Sequence, residues 1–333
     1  MDWRRTGLRR AGRIAGALAA LFFLATFTPR REGPAPALPT GARMLAEAVP
    51  LDASDPQRRK VGALTFLGGW RLRSHDERFG GVSAIHVEGG EVLALSDAGT
   101  IFRFPAPEAA GELPLRIDRL QRGPGTGRRK SDRDAEALAV LGGRVWLVFE
   151  GMNQIWRYRR GDFAFEAAAA PQAMRRWPGN SGSEAMVRLR DGRFLVVAEG
   201  PVAADGTAPA LLFPGDPTAA ASRPLALRYR PPPGYAATDA AALPDGRIVF
   251  LNRRAALLEG FSAVVTVAEA PAAGSGAIIA GRELAALASP FTIDNMEALS
   301  ITRENGRTIL WIASDDNFTP LLQQTLLLKF ALD

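Results

Sequence analysis

The sequence predicts an all-β fold: a β-propeller of five four-stranded blades, closed by pairing of its N- and C-terminal strands. Three observations carry that expectation. A hairpin-sized phrase recurs five times, at Gly81–Asp97, Asp134–Glu150, Ser183–Glu199, Thr238–Asn252 and Asn295–Asp315, with starts about 50–58 residues apart. Each copy has two apolar runs around a Gly-containing turn (Gly89-Gly90, Gly142-Gly143, Asp191-Gly192, Asp245-Gly246, Asn305-Gly306), the signature of a β-hairpin. The stretches between the copies hold further strand-like runs and no long amphipathic helix.

The elements follow in order. Arg4, Arg5, Arg9, Arg10 and Arg13 precede an apolar run from Ile14 to Thr28. A basic stretch before a short apolar one reads as a signal peptide or a short uncleaved anchor over residues 1–31; a buried N-terminal helix is the plainer alternative. The arginines would keep that end cytoplasmic, so the rest is expected in the periplasm or exported, with the N-terminal segment meeting the inner membrane. Residues 32–60, rich in Pro and Ala, read as a linker, and 61–333 as the propeller domain.

After the first hairpin come Thr100–Phe104 and Leu113–Leu120. After the second come Gln154–Arg159 and Phe163–Ala169. After the third come Ala210–Phe213 and Leu225–Tyr229. After the fourth come Ala263–Ala268 and Ala277–Ala280, with Glu283–Ala288 read as at most a helical turn or two. The fifth hairpin is followed by Thr325–Ala331 alone, and Leu64–Leu72 is the candidate to complete that blade. A sixth blade would require one degenerate unit.

Composition narrows the chemistry. The net charge of +6 resides in residues 1–31, which hold seven Arg against one Asp, so the remainder sums to zero and offers no basic domain for nucleic acid. The chain has no cysteine, which excludes thiol nucleophiles, disulfides and Cys-ligated metals. Only His75 and His86 are available to a Ser-His-Asp triad, for which Ser83, Ser181 or Ser183 would be the nucleophile. Trp146, Trp156 and Trp311 fall in predicted strands and read as core. Arg122–Lys130 lacks phosphate-loop spacing and reads as a solvated loop.

Propeller geometry makes the repeat informative about function. The start of each first strand and the end of each second strand share one face. Those are the polar positions: Glu136 with Glu150, Glu184 with Glu199, Glu297 with Asp315, Asp239 with Asn252-Arg253, and Ser83 with Asp97. A ring of carboxylates is therefore expected at one channel mouth. Such a ring repels itself unless protons, arginines or a cation neutralise it, and hard oxygen donors suit Ca²⁺ or Mg²⁺. Glu136, Glu184 and Glu297 are the candidate catalytic groups. Asp97, Glu150, Glu199, Asp239, Asp315 and Asp316 are the candidate metal ligands. Arg133, Arg253, Asn295 and Asn317 are the candidate substrate contacts. Capping of strand ends and pairing with Arg133, Arg253 or Arg254 is the structural alternative, and Asp315–Phe318 reads equally well as an Asx-turn.

Several segments resemble the phytase-like domain family, described as having esterase-like activity of phytase, in exported bacterial proteins. They are Phe79-Gly-Gly-Val-Ser83 with Leu95-Ser-Asp97, Asp134-Ala-Glu136-Ala-Leu, Asn180-Ser-Gly-Ser-Glu184-Ala, the run from Thr238-Asp239 to Gly246, and Asp294-Asn-Met-Glu297-Ala-Leu. The most specific is Ser314-Asp-Asp-Asn-Phe318, followed by Gln324-Thr-Leu-Leu-Leu328. The resemblance spans roughly residues 61–332 in family order. It implies a propeller domain, export, and hydrolysis of phosphate or carboxylate esters. Gln324 and Ala98 stand where the family commonly has arginine, which weakens a phosphate-ester expectation. Two readings follow: a divalent-cation-dependent ester hydrolase acting on a small molecule at the acidic mouth, expected as a monomer, or a non-enzymatic propeller that binds a ligand or protein partner there.

Overall fold

Five sheets, antiparallel except for one added outer strand, are arranged in a closed ring, seen in a computed structural model that describes residues 41–126, 132–200, 202–272, 274 and 276–333. The leader or anchor expected over residues 1–31, and the linker up to residue 40, lie outside the described residues. No helix among the described residues is long and apolar enough to cross a membrane.

The described chain enters through β1 (Arg43–Ala48), β2 (Lys60–Val61) and β3 (Leu64–Ser74). Blade one is β4 (Val82–Glu88), β5 (Glu91–Ser96), β6 (Thr100–Pro105) and, after the short β7 (Gly111–Pro114), β8 (Arg116–Arg119). Blade two is β9 (Ala135–Leu141), β10 (Arg144–Phe149), β11 (Gln154–Arg159) and β12 (Phe165–Ala169). Blade three is β13 (Ser183–Arg188), β14 (Phe194–Ala198), β15 (Ala208–Phe213) and β16 (Leu225–Arg230). Blade four begins with β17 (Ala236–Ala242), β18 (Ile248–Ala256) and β19 (Gly260–Ala268). The chain then runs out as β20 (Ile278–Ala280) to pair in parallel with β16, and returns as β21 (Arg282–Leu287) to finish blade four. Blade five is β22 (Asn295–Glu304), β23 (Arg307–Asp315) and β24 (Leu326–Leu332), and β3 adds to β24 as its fourth strand. The expected ring closure is thus made by Leu64–Ser74, and successive inner strands β4, β9, β13, β17 and β22 touch around a central channel.

Three expectations about the strands need correction. The stretch read as a linker contains β1, which pairs with β3 and with β7, and Leu51 and Asp52 there are buried. Alternating exposure along β1 buries Met44 and Ala46, so a short Ala-containing strand was hidden by the Pro- and Ala-rich composition around it. Leu113–Leu120 is two strands: β8 completes blade one, while β7 reaches across to blade five. Ala277–Ala280 does not complete blade four. That role belongs to the segment read as helical, whose Leu284, Ala285 and Leu287 are buried against β3. Gly62 permits this packing: at φ +56, a Cβ there would lie 2.1 Å from the Leu284 carbonyl oxygen.

The core is divided between neighbouring blades rather than collected at one centre. Five apolar layers fill the five gaps, as when Val249, Leu251 and Val265 of blade four meet Leu299, Leu310 and Leu328 of blade five. Each sheet is covered on both faces, which explains inner runs such as Phe194–Ala198 that are buried at every position. Trp146 and Trp311 are buried in these layers, as expected for core residues, and Trp311 stacks on Trp70 at 6.3 Å between centroids.

Candidate functional site: an acidic ring at one channel mouth

Each inner strand carries a register shift near its start at the mouth, one residue in for β4, β9 and β13 and two residues in for β17 and β22. The residues left unpaired in the ladder are Ser83, Glu136, Glu184, Thr238 and Glu297. A β-bulge opposes two residues to one and re-aims the extra side chain. Five equivalent bulges therefore give five equivalent positions, three of them filled by glutamate. The hydroxyl residues turn to the next blade instead: Ser83 Oγ donates to the Ala135 carbonyl at 2.6 Å and Thr238 Oγ1 to the Met296 carbonyl at 3.2 Å.

A second equivalent set stands where each second strand reaches the mouth. The amides of Asp97, Glu150 and Glu199 donate to the carbonyls of Gly81, Asp134 and Gly182, and the ladder pairs Arg253 with Ala236 and Asp315 with Asn295. Blade four alone places a cation at this position. Arg253 Nη1 donates to Glu297 Oε1 and Nη2 to Glu199 Oε1, each at 2.9 Å, and Nη1 also serves Asn295 Oδ1. These bonds commit Arg253 to the ring's own acids instead of a substrate. Asn295 is committed alike, with Nδ2 on Glu297 Oε1 at 2.7 Å.

The acids perturb one another. Burial raises Glu136 well above the usual carboxylate range, and Asp134, Glu297, Glu150 and Asp97 raise it further. Burial also raises Glu184 strongly, with Glu150, Glu136, Glu199 and Glu297 adding to it. Glu150 is pushed up to about 7 by burial, against a hydrogen bond with Glu184. Asp315 is raised well above its ordinary value by burial and by Glu297 and Asp97. For Glu297, burial outweighs the opposing Arg253 charge. Burial works against the charge of Arg253, but Glu297, Glu199 and Glu184 overcome it and hold the guanidinium above its ordinary value.

Within this ring, one carboxylate oxygen from each of Asp134, Glu136 and Glu150 lies within 4.8 Å of the other two. Sequence reasoning missed Asp134. The available signal was its spacing: Asp134 and Glu136 sit two apart, so both can face the mouth as β9 begins.

The structure thus gathers Glu136, Glu184, Glu297, Asp97, Glu150, Glu199, Asp315, Arg253 and Asn295 at one mouth. It places four other candidates differently. Asp239 follows the bulge residue Thr238 and lies off the ring. Its Oδ2 accepts the Leu299 amide at 2.7 Å and its Oδ1 the Ala240 amide at 2.8 Å, so its oxygens serve the backbone and not a metal. Asp316 borders the ring, yet its Oδ1 accepts the Gly81 and Phe318 amides at 2.9 and 3.0 Å. Asn317 adopts φ +48, and its Nδ2 donates to Gln323 Oε1 at 3.0 Å, which makes it a turn residue. Arg133 lies against Gly99 in the β5–β6 turn.

The serine-esterase reading finds no supporting geometry among the described residues. Ser83 donates to a backbone carbonyl, Ser181 Oγ donates to the Asn180 carbonyl at 2.7 Å, and the Ser183 hydroxyl is buried beside Ala198. His75 is exposed, and His86 Nε2 faces Glu88 at 3.8 Å, further down β4.

Several solved structures align with this chain at low sequence identity. Glutaminyl cyclase from Myxococcus xanthus aligns with a TM-score of 0.47 and 10% identity over 81% of this chain and 97% of its own. The RS223 β-xylosidase aligns with a TM-score of 0.47 and 12% identity over 74% of this chain and 91% of its own. The allergen Mala s 1 of Malassezia sympodialis aligns with a TM-score of 0.37 and 10% identity, over 81% of this chain and 77% of its own. No curated protein matches the sequence. The model of the phytase-like family, described as having esterase-like activity of phytase, matches residues 77–318, and the chain belongs to that family.

Proposed function

We propose that this protein is an exported, divalent-cation-dependent hydrolase of small phosphate or carboxylate esters, acting at the acidic mouth as a monomer. The observation that carries the proposal is the convergence of Asp134, Glu136 and Glu150 within 4.8 Å. The donor set fits the ion: three hard carboxylate oxygens suit Ca²⁺ or Mg²⁺, and no described arginine hydrogen-bonds to Glu136 or Glu150. A cation seated there would supply Lewis-acid polarisation of the ester and screening of a phosphate's charge. Glu184, half-buried beside Glu150, would hold a proton and release it to a leaving-group oxygen. Glu297 is oriented by Arg253 and Asn295 and faces the mouth as a second carboxylate. The basic and apolar segment before residue 32 is the export signal, or a tether to the inner membrane facing the periplasm.

The test is hydrolysis of a chromogenic phosphomonoester and of a chromogenic acetate ester by the full chain. Turnover should be lost on chelation and restored by Ca²⁺ or Mg²⁺. Glu184→Gln should lower it by about 10²-fold or more without unfolding. Turnover that ignores the chelator, or none on either ester, contradicts the proposal. A second reading, a propeller that binds a ligand or protein partner without turnover, draws on one observation. Glu150 accepts the Gly182 amide at 3.0 Å and Asp315 the Asn317 amide at 2.7 Å, so both acids have a purely structural use. Cation uptake without hydrolysis would decide for that reading.

A further inference from the structure

The strand-exit positions of the ring read Asp97, Glu150, Glu199, Arg253 and Asp315 around the five blades. Four acids and one arginine occupy places made equivalent by the backbone, so Arg253 breaks an otherwise acidic pattern. Its guanidinium bridges two neighbours, Glu199 of blade three and Glu297 of blade five. The planar fork suits this, because its separate N–H donors can serve two carboxylates at once. On the far side of the mouth, Glu136 and Glu150 of blade two make no hydrogen bond to an arginine among the described residues, and there the carboxylate oxygens of Asp134, Glu136 and Glu150 converge.

We propose that Arg253 is the ring's built-in counter-cation. It fills the space between Glu199 and Glu297 that a second divalent ion would otherwise take, and so confines the mouth to a single divalent ion on blade two. The inference rests on the cation-binding reading above. It adds a determinant of stoichiometry that the repeat itself does not encode. An acidic side chain at residue 253 would have continued the pattern; an arginine there supplies fixed positive charge with no exchangeable ion. By holding Glu297 and Glu199 in ion pairs, Arg253 also leaves those acids unavailable as ligands.

Calorimetric titration of the chelator-treated full chain with CaCl2 tests the idea. The native chain should take up a single equivalent, Arg253→Lys the same, and Arg253→Gln about two equivalents. An Arg253→Gln protein that takes up no more than the native chain overturns the proposal. If the native chain takes up none and Arg253→Gln takes up one, the seat on blade two fails while the role of Arg253 stands. Should Arg253→Gln not fold, native crystals soaked in Mn²⁺ decide by anomalous scattering. A peak at Asp134, Glu136 and Glu150 with none between Glu199 and Glu297 supports the proposal. A peak between Glu199 and Glu297, with Arg253 displaced, overturns it.

Discussion

Asp239 Oδ2 accepts the Leu299 amide at 2.7 Å, tying inner strand β17 to inner strand β22 across the gap between blades. Its other oxygen takes the Ala240 amide at 2.8 Å. Removing the carboxylate leaves two buried donors without partners, and an unsatisfied buried group costs about 1–3 kcal/mol. Asp239→Ala should therefore lower stability in a denaturant titration by about 2 kcal/mol or more. Calcium uptake should stay as in the native chain, because this residue lies off the ring.

The ring makes the cation-free protein sensitive to alkali. Burial raises Glu136, Glu184 and Asp315, and Glu150 to about 7, so the folded state binds more protons than the unfolded one. The sign follows: this contribution is complete below the ordinary carboxylate range and is lost as pH rises through the folded values. With chelator present, Tm should fall by about 5 °C or more between about pH 5 and about pH 8. Glu184→Gln should flatten that slope, and thermal melts across the pH series would show it.

Gly81 is fixed by close approach. At φ +64, a Cβ would lie 2.3 Å from the Phe318 ring and 2.5 Å from Asp97 Oδ1. Gly81→Ala should destabilise by about 2 kcal/mol or more, through backbone strain and displacement of Phe318. The converging carboxylates Asp134, Glu136 and Glu150 do not include Asp97, so calcium uptake by the same variant should stay as in the native chain. Denaturant titration and calorimetry would check the two outcomes separately.

The hairpins were legible because each pairs apolar runs around a Gly turn, and closure followed from counting strands per unit. Most ring acids were legible because they sit at strand ends. What escaped has physical causes. Asp239 aligned with the glutamates by residue type, whereas the backbone bulge falls on Thr238, and register is invisible in the alignment of charges. Arg282–Leu287 is built of helix-favouring Arg, Glu, Leu and Ala with no β-branched or aromatic residue, and its pairing with β19 and packing on β3 override that local propensity. The role of Arg253 depends on two neighbours far away in sequence, Glu199 and Glu297, and needed the ring to be closed before it could be seen.

The measurement closest to the central claim is the thermal shift induced by calcium in the native chain and in Glu136→Gln. The substitution keeps the side-chain shape and removes one of the three converging carboxylates. At a calcium concentration of about 100 times Kd the native fold gains about 2.7 kcal/mol, a rise of about 5 °C or more. The account predicts that rise for the native chain and its loss in Glu136→Gln. No rise in the native chain, or an equal rise in both, would contradict it.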